Sequence, residues 1–454
     1  MQRRIFVNES PNGTVGVAEP DPQAVQLASP REVRRVLVSS FVGALIEWYD
    51  FYVFGIASAI VFGRIFFPAV DPAVGTLAAF ATLAVGFFAR PIGGAIWGHF
   101  GDRIGRKRML VLSIIVMGIG TTIIGMLPTY AQIGVAAPVI LVILRFLQGI
   151  AAGGEWGGAV LIAMEHSPKR RGLSSSFPQM GLTGGILLAT GVFALVALLP
   201  EDQLLSWGWR LPFLFSAILI VVGLWIRLGI HESPIFLAAQ KAAAGATGTV
   251  KQQAPIIQVF RHPKALIIAI CLVVGPFAIS SVYSTFAASY GLLVGFNASQ
   301  MSTVVLFTAA IGFVCQPIFG ALSDYWGRKL VVTIGLVVQA VSAFFMFEQL
   351  NAHSLPGVYL TMGIIGVGHA ICYAPMAAWL GELFPTHLRY TGASLGYQIA
   401  GSVGGLTPLI CSALLIAGGG APNTLYVVLF SVLVNVIALV AVLFARETSK
   451  DVLV

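Results

Sequence analysis

Six ionisable residues lie inside long apolar runs of the chain: Glu47, Asp50, Arg90, Arg145 and Glu155 in the first half, and His369 in the second. A charge at mid-bilayer costs about 3 kcal/mol on insertion scales, so such a residue faces the protein interior and usually has a function. Glu47 and Asp50 are three residues apart, and one helix face can present both. At ~1.5 Å per residue, Asp50 and Arg145 fall at a similar depth, roughly 10–15 Å from one side, and Glu47 and Arg90 at roughly 15–17 Å from the other. Two carboxylate–guanidinium pairs are therefore expected. They either only knit helices together, or serve a carboxylate that exchanges its arginine partner for a proton, since losing a cationic neighbour makes protonation easier. On the second reading Asp50, Glu47 and Arg145 are the proton-coupling candidates.

Arg90 immediately precedes Pro91. Its planar fork suits a substrate carboxylate, with burial against Glu47 as the alternative. Gln179 and the second-half residues Tyr283, Ser284, Gln316, His369, Tyr373, Tyr397 and Gln398 suit hydroxyl and carboxylate recognition in an apolar cavity. Each can equally serve as a hydrogen bond between helices. His369 is either a group titrating near neutrality or a satisfied core histidine. Glu155, among the glycines of GGEWGG, is either gate or packing. Arg210, after SWGW, reads as an anchor at an aromatic border.

The chain has 454 residues, of which 57% are hydrophobic and only 10% charged; its mean hydropathy is +0.90. Soluble domains carry about 25% charged residues, so the lipid bilayer is the expected solvent. Twelve apolar stretches are long enough to cross it as helices, near 36–60, 76–100, 108–127, 138–163, 174–199, 209–228, 265–288, 302–321, 330–348, 357–380, 391–416 and 424–444. The expected fold class is an all-α membrane protein with twelve transmembrane helices in two six-helix halves, 36–228 and 265–446, joined by a linker at 229–264. Residues 1–35 read as a flexible cytoplasmic tail without a signal-peptide core, and 447–454 as a short cytoplasmic tail. Lysine and arginine crowd the loops on one side, which places both termini in the cytoplasm. The net charge of +8 follows from those loops, so no nucleic-acid partner is expected. Cys271, Cys315, Cys372 and Cys411 lie in apolar runs without a CxxC pair; no metal or cofactor is expected. No phosphate-binding loop or HExxH occurs, and the one GxSxG match, GASLG at 392–396, lies within an apolar stretch read as a membrane helix rather than on a strand-to-helix turn, which counts against a primary pump and against an enzyme.

The loop GHFGDRIGRKRML at 98–110 is echoed by GALSDYWGRKL at 320–330, and EHSPKRRG at 165–172 is matched by ELFPTHLRYTG at 382–392. The first pair joins the second and third helix of each half, the second pair the fourth and fifth. Corresponding loops in both halves indicate an internal repeat, a transporter plan.

The doubled G-x-x-x-D-x-x-G-R-K loop across six plus six helices resembles the major facilitator superfamily. EWYDF (47–51), FARPIGG (88–94), RFLQGIAAGGEWGG (145–158) and WGWRLPF (207–213) resemble its metabolite:proton symporter family, from about Val36 to Arg446, with the first half nearest the shikimate branch. The resemblance implies proton-coupled symport of a small organic acid by alternating access, through a central site, in the inner membrane; a monomer is expected. Arg145 is similar to a fourth-helix arginine of proton-coupled members. The loops would latch the cytoplasmic side: Asp102 against the start of the eleventh helix, Arg106 with Glu165, and in the second copy Asp324 and Arg328 with Glu382. Osmolyte (proline or betaine) uptake is the alternative, and a channel a more distant one. Osmosensing relatives extend past the last helix with a coiled coil, whereas here Val454 follows Phe444 by about ten residues without heptads, which tilts the expectation toward an organic acid.

Overall fold

The computed structural model describes residues 29–69, 72–229, 232, 237 and 255–451. Among them, twelve helices are long and apolar enough to cross a bilayer. The first six are α1 (Pro30–Phe66), α2 (Pro72–Ile104), α3 (Arg106–Met126), α4 (Ala136–His166), α5 (Arg171–Val196) and α6 (Arg210–Leu228). The second six are α7 (Pro263–Leu293), α8 (Ala298–Trp326), α9 (Arg328–Asn351), α10 (Leu355–Glu382), α11 (Arg389–Ala417) and α12 (Leu425–Phe444).

Local chemistry moves some boundaries from their expected places. α1 begins at Pro30 rather than near residue 36, because the Ser29 hydroxyl accepts from the Glu32 amide at 3.3 Å and Pro30 opens the first turn. The tail expected before it lies outside the described residues. α7 continues past the expected 288 to Leu293 through a wide π turn at Val282–Phe286, and α1 carries the same device at Ser58–Phe62. A short helix, Pro255–Phe260, occupies the end of the linker; most of the linker lies outside the described residues.

Contacts between helices repeat in the two halves: α1 packs on α5 as α7 packs on α11, α2 on α4 as α8 on α10, and α3 on α6 as α9 on α12. The halves meet chiefly through α2 against α11 and α5 against α8, partners that a twofold operation exchanges. Glycine permits these close approaches: a Cβ on Gly98 would lie 2.7 Å from the Thr391 Cα, and one on Gly153 would collide with the Arg90 carbonyl. Pro91 inside α2 cannot donate to the Phe87 carbonyl one turn back. The Ser402 hydroxyl of α11 donates to that oxygen instead, at 3.0 Å, so the second half satisfies a backbone group freed beside Arg90. Outward-facing Trp225, Leu443 and Val221 are among many exposed apolar side chains, as lipid contact requires.

Candidate functional site

Arg90 of α2 donates through Nη2 to Glu47 Oε1 of α1 at 3.0 Å, and both side chains are buried. The pair expected from depth forms, but through one contact only. Glu47 Oε2 and Arg90 Nε and Nη1 have no hydrogen-bond partner among the described residues. The guanidinium lies over aromatic faces, 3.9 Å from the Phe51 centroid, 4.8 Å from Trp48 and 5.0 Å from Phe87, an arrangement that favours a desolvated cation. Half of the fork is thus held and half is free.

A polar and aromatic cluster from both halves surrounds this centre. The Tyr373 and Tyr397 hydroxyls are 2.5 Å apart, and the Tyr397 ring stacks on Trp156 of α4 at 3.6 Å. Trp156 Nε1 donates to Gln179 Oε1 at 2.6 Å, and Gln179 Nε2 to the Tyr373 carbonyl at 2.9 Å. Phe277 packs its edge on Tyr397 and reaches Trp48. His369 stacks on Tyr373 at 4.8 Å with Tyr283 at its edge, and neither ring nitrogen has a hydrogen-bond partner among the described residues. Buried Gln316 likewise has neither amide atom partnered. Gln398 donates to the Ala152 and Gly153 carbonyls, a bond across the seam between the halves. Ser284 bonds within its own helix, to the Ser280 carbonyl.

The second expected pair does not form directly. Asp50 accepts from the Thr121 hydroxyl at 2.7 Å and the Ser216 hydroxyl at 2.8 Å. Arg145 donates to Gln148 Oε1 at 2.9 Å, and Gln148 Nε2 to Thr121 Oγ1 at 2.6 Å. Two neutral side chains separate the charges, because Asp50 turns toward α3 and α6 while the Arg145 guanidinium lies over Phe54 and Phe51. Thr121 and Ser216, hydroxyls in apolar runs, were the signal that sequence reading passed over. Glu155 also faces its own half: Arg227 of α6 pairs with it and Ser113 of α3 donates to it at 2.6 Å. The gating alternative for Glu155 is thus not met at the seam, and its partner Arg227, inside the expected sixth span, is buried within α6. Arg210 caps the end of α3 through the Gly125 and Leu127 carbonyls and also lies over Trp209.

The repeated loops form a symmetric set of locks. Glu165 at the end of α4 pairs with Arg106 of its own half and, at 3.2 Å, with Arg389 of the other. Glu382 at the end of α10 pairs with Arg328 of its own half and, at 3.2 Å, with Arg171 of the other. Sequence reading placed Arg106, Glu165, Arg328 and Glu382 in the locks but left Arg171 and Arg389 among the side-defining cations. The recurring order, an acid ending one helix and an arginine opening the next, was the available signal. Asp324 accepts from the Gly172 and Leu173 amides at the start of α5, at 2.8 and 3.1 Å, and from Arg328; a carboxylate at a helix N-terminus is stabilised there. The Asp102 side chain lies outside the described residues. Its turn of α2 presents Gly98 and Gly101 to Thr391 and Tyr390 at the start of α11.

The rest of the motif has a role too. Gly105 and Gly327 adopt φ of 108° and 97°, which glycine allows at low cost. Lys107 Nζ donates to the Leu228 carbonyl ending α6, and Lys329 Nζ reaches the Leu443 carbonyl near the end of α12, each a cation at a helix C-terminus. Glu232 accepts from the Lys107 amide as Glu447 accepts from the Lys329 amide. Burial works against the charge of Glu447, but the Lys329, Arg328 and Ser449 amides outweigh it and hold the carboxyl below the usual range. Its contribution to docking is therefore complete above the ordinary carboxylate value of about 4.3 and fades only as pH falls through the lowered one. The segment Arg446–Asp451, which runs into the expected short tail, is docked: Trp379 donates to the Arg446 carbonyl, Thr448 bonds Glu382, and Arg171 reaches the carbonyls of Thr448, Ser449 and Asp451 at 2.9–3.1 Å.

Twelve helices, doubled locks and a half-free buried guanidinium define a transporter of small molecules. The sequence matches the Major Facilitator Superfamily over residues 41–406 and 277–453, and the chain belongs to that family. It is 41% identical to the shikimate transporter of Escherichia coli (strain K12), over 89% of this chain and 92% of that one. It is 40% identical to the inner membrane metabolite transport protein YhjE of the same organism, over 91% and 94%. Its fold is shared by the proton:xylose symporter XylE bound to 6-bromo-6-deoxy-D-glucose, with a TM-score of 0.74 at 19% identity over 94% of this chain and 98% of that one.

Proposed function

We propose that the chain imports a small organic acid together with protons, across the inner membrane, by alternating access, with both termini cytoplasmic. The observation that carries this reading is the half-used fork of Arg90. A carboxylate entering from the seam meets Nε and Nη1 already oriented and dry, and it need not displace the Glu47 contact to do so. Tyr373, Tyr397, Gln179, His369 and Tyr283 supply stacking faces and hydroxyl partners around it. The similarity to a shikimate transporter at 41% identity supports an acid as cargo. The test is uptake into proteoliposomes under an imposed proton gradient, competed by unlabelled hydroxylated acids, dicarboxylates and betaines. Competition by acids supports the reading; competition by betaines alone would replace it with osmolyte uptake.

The Glu165–Arg389 and Glu382–Arg171 pairs bridge the halves on the side bearing the charged loops, so that side is closed here and the locks must part for release. Removing one partner of a buried pair costs about 3–5 kcal/mol, which is enough to reverse a balanced two-state equilibrium. Glu165→Gln is therefore expected to populate states open on the loop side. Distances between spin labels at the loop-side ends of α4 and α11 should lengthen; an unchanged distribution with normal uptake would reduce the pair to a topological anchor.

A further inference from the structure

Away from the central site, α7 and α12 leave a groove of about 570 Å³ on the loop side. Its walls are Ile267, Ile268 and Cys271 on α7, and Val436, Ile437, Val440, Ala441 and Phe444 on α12, with Pro263 and Lys264 at the mouth. Eight residues separate the mouth from the depth of Cys271, about 12 Å along a helix. Three exposed cations stand at the loop-side ends of these two helices: Lys264 at the mouth, Arg261 three residues before it in sequence, and Arg446 two residues beyond Phe444. None of them forms an ion pair among the described residues. The nearby cations Arg328 and Arg171 are already taken by Glu382, and Lys329 caps α12.

We infer that this groove is a binding site for one anionic phospholipid, its acyl chain along the apolar walls and its phosphate at Lys264, Arg261 and Arg446. The charge at the mouth selects the headgroup, since basic pockets between transmembrane helices on the charged side recognise acidic lipids. The apolar depth beneath excludes a soluble anion as the occupant. A lipid there bridges the first and last helices of the second half and lies outside the transport path. The inference rests on the orientation proposed above only for naming the leaflet as the inner one.

The full chain, reconstituted in bilayers, is tested with a phosphatidylglycerol probe and a phosphatidylcholine probe, each carrying a photoactivatable group in the acyl chain. Phosphatidylglycerol is expected to label the peptides containing residues 263–271 and 436–444 in excess, by about fivefold per cation engaged, as ~1 kcal/mol per basic residue implies. Lys264→Gln with Arg261→Gln and Arg446→Gln should bring its labelling down to the phosphatidylcholine level. Ile267→Trp, which fills the groove and keeps the cations, should lower labelling by phosphatidylglycerol as well. Equal labelling by the two probes, or labelling indifferent to the triple variant, would overturn the inference. Because no transported solute enters the assay, failure here leaves the central-site reading untouched, and failure of that reading leaves this one standing.

Discussion

Arg90→Ala is expected to lower affinity for the transported acid by at least about a hundredfold, the loss that corresponds to leaving a buried anion without its partner at 3 kcal/mol or more. Arg90→Lys should not restore it, because a point-like ammonium cannot reproduce two parallel N–H bonds and lacks the flat face that lies over Phe51 and Trp48. Alanine also strands Glu47, whose Oε1 bonds Arg90 and whose Oε2 has no partner among the described residues. Two readouts separate binding from scaffolding. If Arg90 holds substrate, Arg90→Ala combined with Glu47→Gln regains thermal stability in detergent but shows no stabilisation by the acid. If the pair is only structural, the double variant binds the acid as the parent does. Normal binding by the double variant would move the site away from Arg90, with Arg145 the next guanidinium to examine.

Asp50→Asn is expected to transport without concentrating its cargo. The carboxyl accepts from Thr121 and Ser216 and forms no ion pair among the described residues. Hydroxyls donate to a carboxylate and accept from a carboxylic acid with equal ease, so this socket accommodates both protonation states without breaking an ion pair. Arg145 acts on it from beyond Gln148 and Thr121. Asparagine keeps the shape and fixes the charge at zero. Exchange of labelled for unlabelled acid should continue at pH 6 to 8, while accumulation against a gradient falls to the level without a proton gradient. Thr121→Val with Ser216→Ala should weaken accumulation in the same direction by removing the hydroxyl partners. Retained accumulation in Asp50→Asn would transfer the coupling to Glu47, for which Glu47→Gln provides the same assay.

The fold was legible because lipid makes helix count a matter of arithmetic: about twenty apolar residues per crossing, bounded by loops whose cations mark one side. The locks were half legible. An acid or an arginine inside a repeated loop stands out, and Arg106 meets Glu165 and Arg328 meets Glu382 as the family resemblance implied. Arg171 and Arg389 were hidden by an alternative explanation, since cations at loop ends already satisfy the topology rule. Depth along a helix brought Glu47 to Arg90 correctly but not Asp50 to Arg145, because depth fixes one coordinate and the direction around the helix axis fixes the rest. That direction depends on which neighbours offer hydroxyls, here α3 and α6. The docked segment after α12 could not be read at all: its bonds to Arg171 come from main-chain carbonyls, which carry no residue signature.

That segment gives the transport cycle an external handle. Arg171 belongs to one half and Arg446–Asp451 hangs from the other, so in the proposed alternating-access cycle each opening of the loop side peels a short length of main chain off a guanidinium. In that proposed cycle the peptide bonds around Ser449 would alternate between held and released once per turnover. On the proposed symport, their rate of cutting by an added protease would serve as a clock for the cycle, expected to be faster when cargo and protons are both supplied and stopped when the locks are held shut. A bulky reporter fused just beyond this stretch would be part of the mechanism rather than a passive tag.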